Sequence, residues 1–284
     1  MSVLQFLQAP QGSLSIGSGN AAELWRYVYA PATPADESPR PYAHPVYSID
    51  GDLLSNWRPN DHRWHHGLSF TLTAVNGVNF WGGPSHRPED NYQWREDHGV
   101  QKHLEWLIRT PEKLVEKLTW HRSADTAAAM LNEERTLTTR WEEEGWSLGW
   151  QTRLHNPGPE DLTCHNYHSL GGLAGSHYTG LQFRGARGLL DEHGDEQIRM
   201  LGESGATDPN ILHGQKANWL EWYGQVDGTL RRTKLRFDSL DGPIPWFTRQ
   251  DNPVVAFPPH RETAWVISAG DTVELNHRIT FSRS

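Results

Sequence analysis

At 284 residues the chain is long enough to bury a large core, and its formal net charge of −9 without any Lys/Arg block argues against nucleic acid or an anionic membrane surface as partner. The single cysteine, Cys164, excludes an intrachain disulfide framework and fits a reducing cytoplasm, where a lone thiol reads as a small buried residue. No run approaches the roughly 18 apolar residues of a membrane span, and the opening Met1-Ser2-Val3-Leu4-Gln5-Phe6 lacks the basic and apolar regions of a leader.

In chain order, residues 30–45 are rich in Pro and Ala and read as a surface loop leading into a strand that carries His44. The segment Asp61-His62-Arg63-Trp64-His65-His66-Gly67 then concentrates three histidines and a carboxylate, the densest set of groups able to move a proton near neutral pH. Residues 68–74 and 78–81 read as strands joined by Asn76-Gly77, a strong hairpin-turn signal. Further strands fall at 102–109, 113–122 and 135–141; the alanine run at 125–131 is too short to assign as helix.

At 146–154 the apolar residues Trp146, Leu148, Trp150 and Leu154 alternate with mostly polar ones, the period of a half-buried strand. Residues 169–188 are glycine-rich, but their spacing follows no dinucleotide fingerprint, so no nucleotide cofactor is expected and a long loop over a cleft fits better. Strands follow at 218–225 and 233–238. The chain closes with 263–268 and 273–281, which the turn Ala269-Gly270-Asp271 is expected to join as a hairpin, with Val273, Leu275, Ile279 and Phe281 on one face. The expected fold is therefore all-β: one large antiparallel two-sheet β-sandwich over 1–284, with 1–37 the less distinctive part.

The composition includes 14 Trp and 26 Gly. Tryptophan packs in cores and also stacks on sugar C–H faces, so a minority lining a polar cleft would point to a small-molecule carbohydrate partner. Three functions are compatible with these residues. The first is a carbohydrate-active enzyme, of lyase, isomerase or hydrolase type, working by general acid–base chemistry on a sugar or keto-sugar. His44, His62, His65, His66 and His103 are its candidate acids and bases, with Asp61 or Glu134 as orienter. Arg40, Arg184 and Arg249 would polarise a carbonyl or hold a carboxylate, and Tyr42, Trp81 and Trp246 would stack on the ring. Any one of these histidines or arginines alone would more often be packing or a salt bridge; the clustering is what points to a site.

The second function is a metal-dependent enzyme holding a divalent transition metal through His44, His62, His65 and His66, although their spacing matches no strong zinc pattern. The third is a sugar-binding module, which would not need several groups poised near neutral pH. The expectation for geometry is that His44 and at least two of His62, His65 and His66 share one cleft with Trp81 and Arg249. A homo-oligomer remains open.

Arg40-Pro-Tyr-x-His-Pro, Asp61-His-x-x-His-His-Gly and Asn76-Gly-x-Asn-Phe-Trp81-Gly together resemble a bacterial family labelled methane oxygenase PmoA-like. Gly99-x-x-x-His103, Glu134-Arg135, Gly180-Leu-Gln-Phe-Arg184 and Pro245-Trp246-x-x-Arg249 extend the resemblance from about residue 38 to the C-terminus. It implies a soluble β-sandwich, similar to the galactose-mutarotase-like supersandwich, in a family found in bacterial sugar-utilisation settings.

Overall fold

The alternation at 146–154 becomes the strand Gly145–His155, whose inner face buries Trp146, Leu148, Trp150 and Leu154 completely. It pairs antiparallel with the last strand, Thr272–Arg283, in a register that sets Trp146 opposite Phe281, Leu148 opposite Ile279 and Trp150 opposite His277. Trp146 and Phe281 stack with ring centroids 4.5 Å apart. A slip of one residue would turn this whole apolar set toward solvent, so burial fixes the register. Each such side chain contributes about 1.5–3 kcal/mol by leaving water.

The computed structural model describes residues 3–20, 22–191, 193 and 197–284. Met1 and Ser2, the first two residues of the opening segment Met1–Phe6, lie outside the described residues. The strands form two large antiparallel sheets facing each other. The first runs Leu4–Leu7, Ser13–Ser18, Glu23–Val28, Tyr42–Val46, Leu68–Thr71, Gly180–Arg184, Val254–Phe257, Phe247–Arg249. The second runs Leu189–Leu190, Trp219–Val226, Arg232–Ser239, Thr272–Arg283, Gly145–His155, Leu131–Glu142, Lys113–His121, Val100–Arg109, with Arg199–Gly202 also paired to Trp219–Val226. Among the described residues helix is confined to the single turns Ala35–Glu37 and Pro209–Leu212. Among the described residues no helix is long and apolar enough to cross a membrane. The fold is the expected all-β antiparallel sandwich, and residues 1–37 contribute three strands of its first sheet.

One core fills the space between the sheets. Phe183 of the first sheet meets Trp222, Phe237 and Phe281 of the second, and Phe70 meets Trp120. A polar seam crosses the same core: Trp25 Nε1 donates to Thr139 Oγ1, and Arg135 Nη1 donates to the Tyr27 hydroxyl.

Three local expectations are corrected. Residues 263–268 do not form a hairpin with the last strand: Trp265–Ile267 pairs with Leu162–His165 in a separate three-stranded sheet. The turn at Ser268–Asp271, closed by Asp271 N to Ser268 O, instead carries the chain from that small sheet into the second large one. There the 12-residue last strand finds an 11-residue partner that a three-residue strand cannot match. The glycine-rich stretch 169–188 is also not one loop, because Gly180–Arg184 is a fully buried central strand. Gly180 starts it at φ 84, where a side chain would run into the Phe257 carbonyl. The Asn76-Gly77 turn forms as expected, with positive φ at both residues and backbone hydrogen bonds exchanged between Val75 and Val78, but 78–81 is not a strand and makes only isolated bridges at Val78 and Asn79.

The period of two also defines a second surface. Leu181 and Phe183, Leu68 and Phe70, Val255 and Phe257 enter the core, so Gln182 and Arg184, Ser69 and Thr71, Val254 and Ala256 lie on the outer face of the first sheet. They are buried even there, because long connections fold over that face. The cover carries the candidate site.

Candidate functional site

The Asp61–Gly67 block is shaped by two successive turns, His62 N to Pro59 O and His65 N to His62 O, at 3.1 and 3.0 Å. They bring the rings of His62 and His65 to one side, centroids 4.9 Å apart. His66, one residue on, goes the other way, and its Nε2 donates to the Glu37 carboxylate at Oε2 over 2.9 Å. The main chain then straps the block to the sheet: Arg184 N donates to Gly67 O at 2.8 Å, and Asn56 N donates to Arg184 O at 2.9 Å.

These contacts open a cleft of about 450 Å³, in the size range of small-molecule sites. Trp64, Trp81, Tyr92, Tyr178 and Phe247 form its aromatic walls; His62, His65, Arg184, Arg249, Asp251 and Asn252 supply its polar groups. The walls brace one another, with Trp81 and Tyr178 at 4.9 Å and Tyr178 and Phe247 at 5.4 Å between ring centroids. His65 stands edge-on to Trp81 at 5.8 Å.

Asp61 organises the polar side. It accepts from Arg184 Nη2 at 3.1 Å, Arg187 Nη2 at 2.8 Å and Asn252 Nδ2 at 2.7 Å, and pairs with His62 Nδ1 at 2.9 Å. Burial alone would raise the Asp61 carboxyl, but the His62 hydrogen bond and the Arg184 charge outweigh it and hold the group well below the usual carboxylate range. Asp61 is thus a fixed anion. His62, with a side chain 43% exposed, has its Nδ1 committed to that anion and its Nε2 without a hydrogen-bond partner among the described residues.

His65 is 6% exposed. Burial first, then the Arg184 charge, push its pKa well below the ordinary value, so the ring is neutral at neutral pH. Arg184 can only donate, so its Nη1 contact of 3.4 Å makes His65 Nδ1 the acceptor and leaves the ring proton on Nε2.

The structure brings His62, His65, Trp81, Arg184 and Arg249 together with Asp61 behind them, and sets the other candidates elsewhere. His44 bonds Ser55 Oγ at 2.8 Å and stacks on Trp57, and burial brings its pKa down to about 4. Tyr42 packs between Trp57 and His66. Arg40 is fully buried and donates to the carbonyls of Glu37, Ser38, Trp64 and Trp81 and to Ser69 Oγ, which clamps the loops that form the cleft. Trp246 lies in the core, its Nε1 donating to Ala217 O. His103 belongs to the second sheet, paired with Glu116 at 2.6 Å. Glu134 lines a shallow groove there with Lys117, Arg153 and His155.

The four candidate metal ligands are therefore divided among different partners. Among the described residues no three His, Cys, Asp or Glu side chains are placed to hold a metal ion. Sequence reasoning did not single out Trp64, Tyr92, Tyr178, Phe247, Asp251 and Asn252. Trp64 sits inside the histidine block and Asp251-Asn252 just after Arg249, so proximity was the available signal; Tyr92 and Tyr178 carried none.

Among solved structures the chain is similar to the galactosidase domain of alpha-galactosidase-sucrose kinase, AgaSK, with 9% identity, a TM-score of 0.41, and coverage of 99% of this chain and 40% of that one. It thus spans two-fifths of that chain's length. It is also similar to a polysaccharide lyase, with 9% identity, a TM-score of 0.38, and coverage of 99% and 33%. A galactose mutarotase related enzyme from Lactobacillus acidophilus aligns with 9% identity, a TM-score of 0.35, and coverage of 99% and 97%. No curated protein matches the sequence. The resemblance to a methane oxygenase PmoA-like family is overturned, because the family model that fits describes something else. Over residues 14–284 the chain belongs to a family of unknown function, DUF6807.

Proposed function

We propose that the protein is a carbohydrate-active enzyme that moves a proton on a bound sugar or keto-sugar. The observation that carries this reading is the Asp61–His62 pair, a fixed carboxylate holding an accessible imidazole at the mouth of an aromatic cleft. A carboxylate on Nδ1 sets the tautomer and steadies the imidazolium once Nε2 has taken a proton. His62 is then the proton carrier and Asp61 its positioning residue.

In the reaction we envisage, His62 Nε2 removes a proton from the carbon beside a carbonyl. The electron pair moves onto the carbonyl oxygen, and the Nε2–H of neutral His65 donates a hydrogen bond to the charge developing there. Return of the proton to a neighbouring atom gives isomerisation; loss of a substituent β to the carbonyl gives elimination. Trp64, the less buried of the two cleft tryptophans, supplies a face for the sugar ring. A binding module would use the same aromatic walls, but the Asp–His pair adds nothing to binding alone.

The test is solvent deuterium exchange. Aldoses, ketoses, uronates and keto-sugars are incubated in D₂O and followed by proton NMR. Enzyme-dependent incorporation into at least one sugar, falling about a hundredfold or more in His62→Gln, is expected. Sugar binding with no exchange, elimination or hydrolysis of any probe would leave a binding module. Activity lost to a chelator and restored by one metal would favour the metal-dependent alternative.

A further inference from the structure

The two arginines of the cleft are held in opposite ways. Arg184 Nη2 is committed to the Asp61 carboxylate and to the Asn252 amide oxygen, so its charge is matched. Arg249 is held instead by an uncharged group. Its Nη1 donates to His213 Nδ1 at 2.9 Å, and His213 Nε2 donates in turn to Gly175 O at 2.9 Å. Burial, reinforced by the Arg249 charge, lowers the His213 pKa, so this ring stays neutral at neutral pH.

The same Nη1 makes a longer bond to Thr248 O at 3.3 Å, and the guanidinium carbon lies 4.9 Å from the centre of the Phe247 ring. Every one of these hydrogen bonds falls on Nη1. The Nε–Nη2 edge, the fork that takes a carboxylate through two parallel hydrogen bonds, has no hydrogen-bond partner among the described residues. Asp251 acts on Arg249 through its charge rather than through a hydrogen bond. Arg249 and Asp251 also line an adjoining cavity of about 270 Å³ with Gln197, Asn210 and Gln250, so the arginine stands where two cavities meet.

Arg249 is exposed, and a carboxylate arriving at that edge gains two parallel charge-assisted hydrogen bonds from it. We propose that the substrate is a sugar acid whose carboxylate seats on the free edge of Arg249. This rests on reading the cleft as a sugar site. Arg184, already neutralised by Asp61, is not the carboxylate's partner.

The experiment is a calorimetric titration of the intact protein with D-glucuronate and D-galacturonate, against D-glucose and D-galactose. The uronates are expected to bind at least about tenfold more tightly than the matching neutral sugars, an advantage that shrinks as salt is raised. Arg249→Gln should abolish the advantage, so that a uronate and its matching neutral sugar bind within about twofold of each other, with the far-UV spectrum unchanged. Equal affinities in the wild type, a preference that survives in Arg249→Gln, or no binding of either sugar class would overturn the proposal. A uronate preference in a protein that turns over none of the probes would leave this inference standing and remove the enzymatic reading.

Discussion

Replacing Glu133 by Gln breaks one ion pair in the core while keeping the side chain's shape. Glu133 and Arg135 have fully buried side chains, joined by Nε to Oε1 at 2.8 Å and Nη2 to Oε2 at 2.9 Å; Oε2 also accepts from Trp120 Nε1 at 2.8 Å. Arg135 further donates to Tyr27 and Gln101, and Tyr27 bonds Glu116. A glutamine offers one acceptor oxygen where there were two, and turns an N–H toward existing donors. Removing one member of a buried pair costs about 3–5 kcal/mol, and Glu116 nearby places this case toward about 3 kcal/mol. At about 2–4 °C per kcal/mol, the midpoint should fall by about 6–12 °C. Urea unfolding followed by tryptophan fluorescence gives the free energy directly. Adding Arg135→Met to Glu133→Gln should recover at least about 1 kcal/mol, because the orphaned charge is gone. Glu134→Ala, on the opposite face of the same strand, is the control and should stay within about 0.5 kcal/mol. A loss under about 1 kcal/mol in Glu133→Gln would refute the reasoning, since water or another group would have to be compensating Arg135.

Two further outcomes follow from Asp61 and from the buried His277. Asp61→Asn should lower turnover about a hundredfold or more with little change in KM, because the amide cannot steady a charged His62; unchanged turnover would remove Asp61 as its positioning residue. Burial brings the folded pKa of His277 down to about 4, whereas the unfolded chain titrates near about 6.5. Its contribution is therefore fully present above about pH 6.5 and declines toward pH 4, by up to about 1.4 kcal/mol per pH unit. His277→Leu should flatten the fall in urea stability between pH 6.5 and 5 by about that slope, and an unaltered slope would mean that His277 does not stay neutral in the folded state.

What the sequence revealed divides along a physical line. A strand's period of two is local, so 146–154 and 233–238 could be read directly. Which strands pair depends on matched length and register across the fold. The last strand accordingly joins Gly145–His155 and Arg232–Ser239 rather than its neighbour Trp265–Ile267. The same division runs through the site. Asp61, His62 and His65 were legible because one short segment carries them all. His66 belongs to the same segment, yet the turn sends it to Glu37, which ends the short helical turn Ala35–Glu37 in a stretch the sequence marked only as a Pro/Ala-rich loop.

Tyr92, Tyr178 and Asn252 come singly from separate connections, and only the closed sheet brings them together. Arg184 links the two kinds of information. It occupies an alternate, outer-face position on a central strand, and its backbone and side chain both reach the histidine block. The cleft is therefore held by the sheet rather than by its own loop, and a change on the core side of that strand, at Phe183, would be felt at His65 and Asp61 through one residue of rigid backbone.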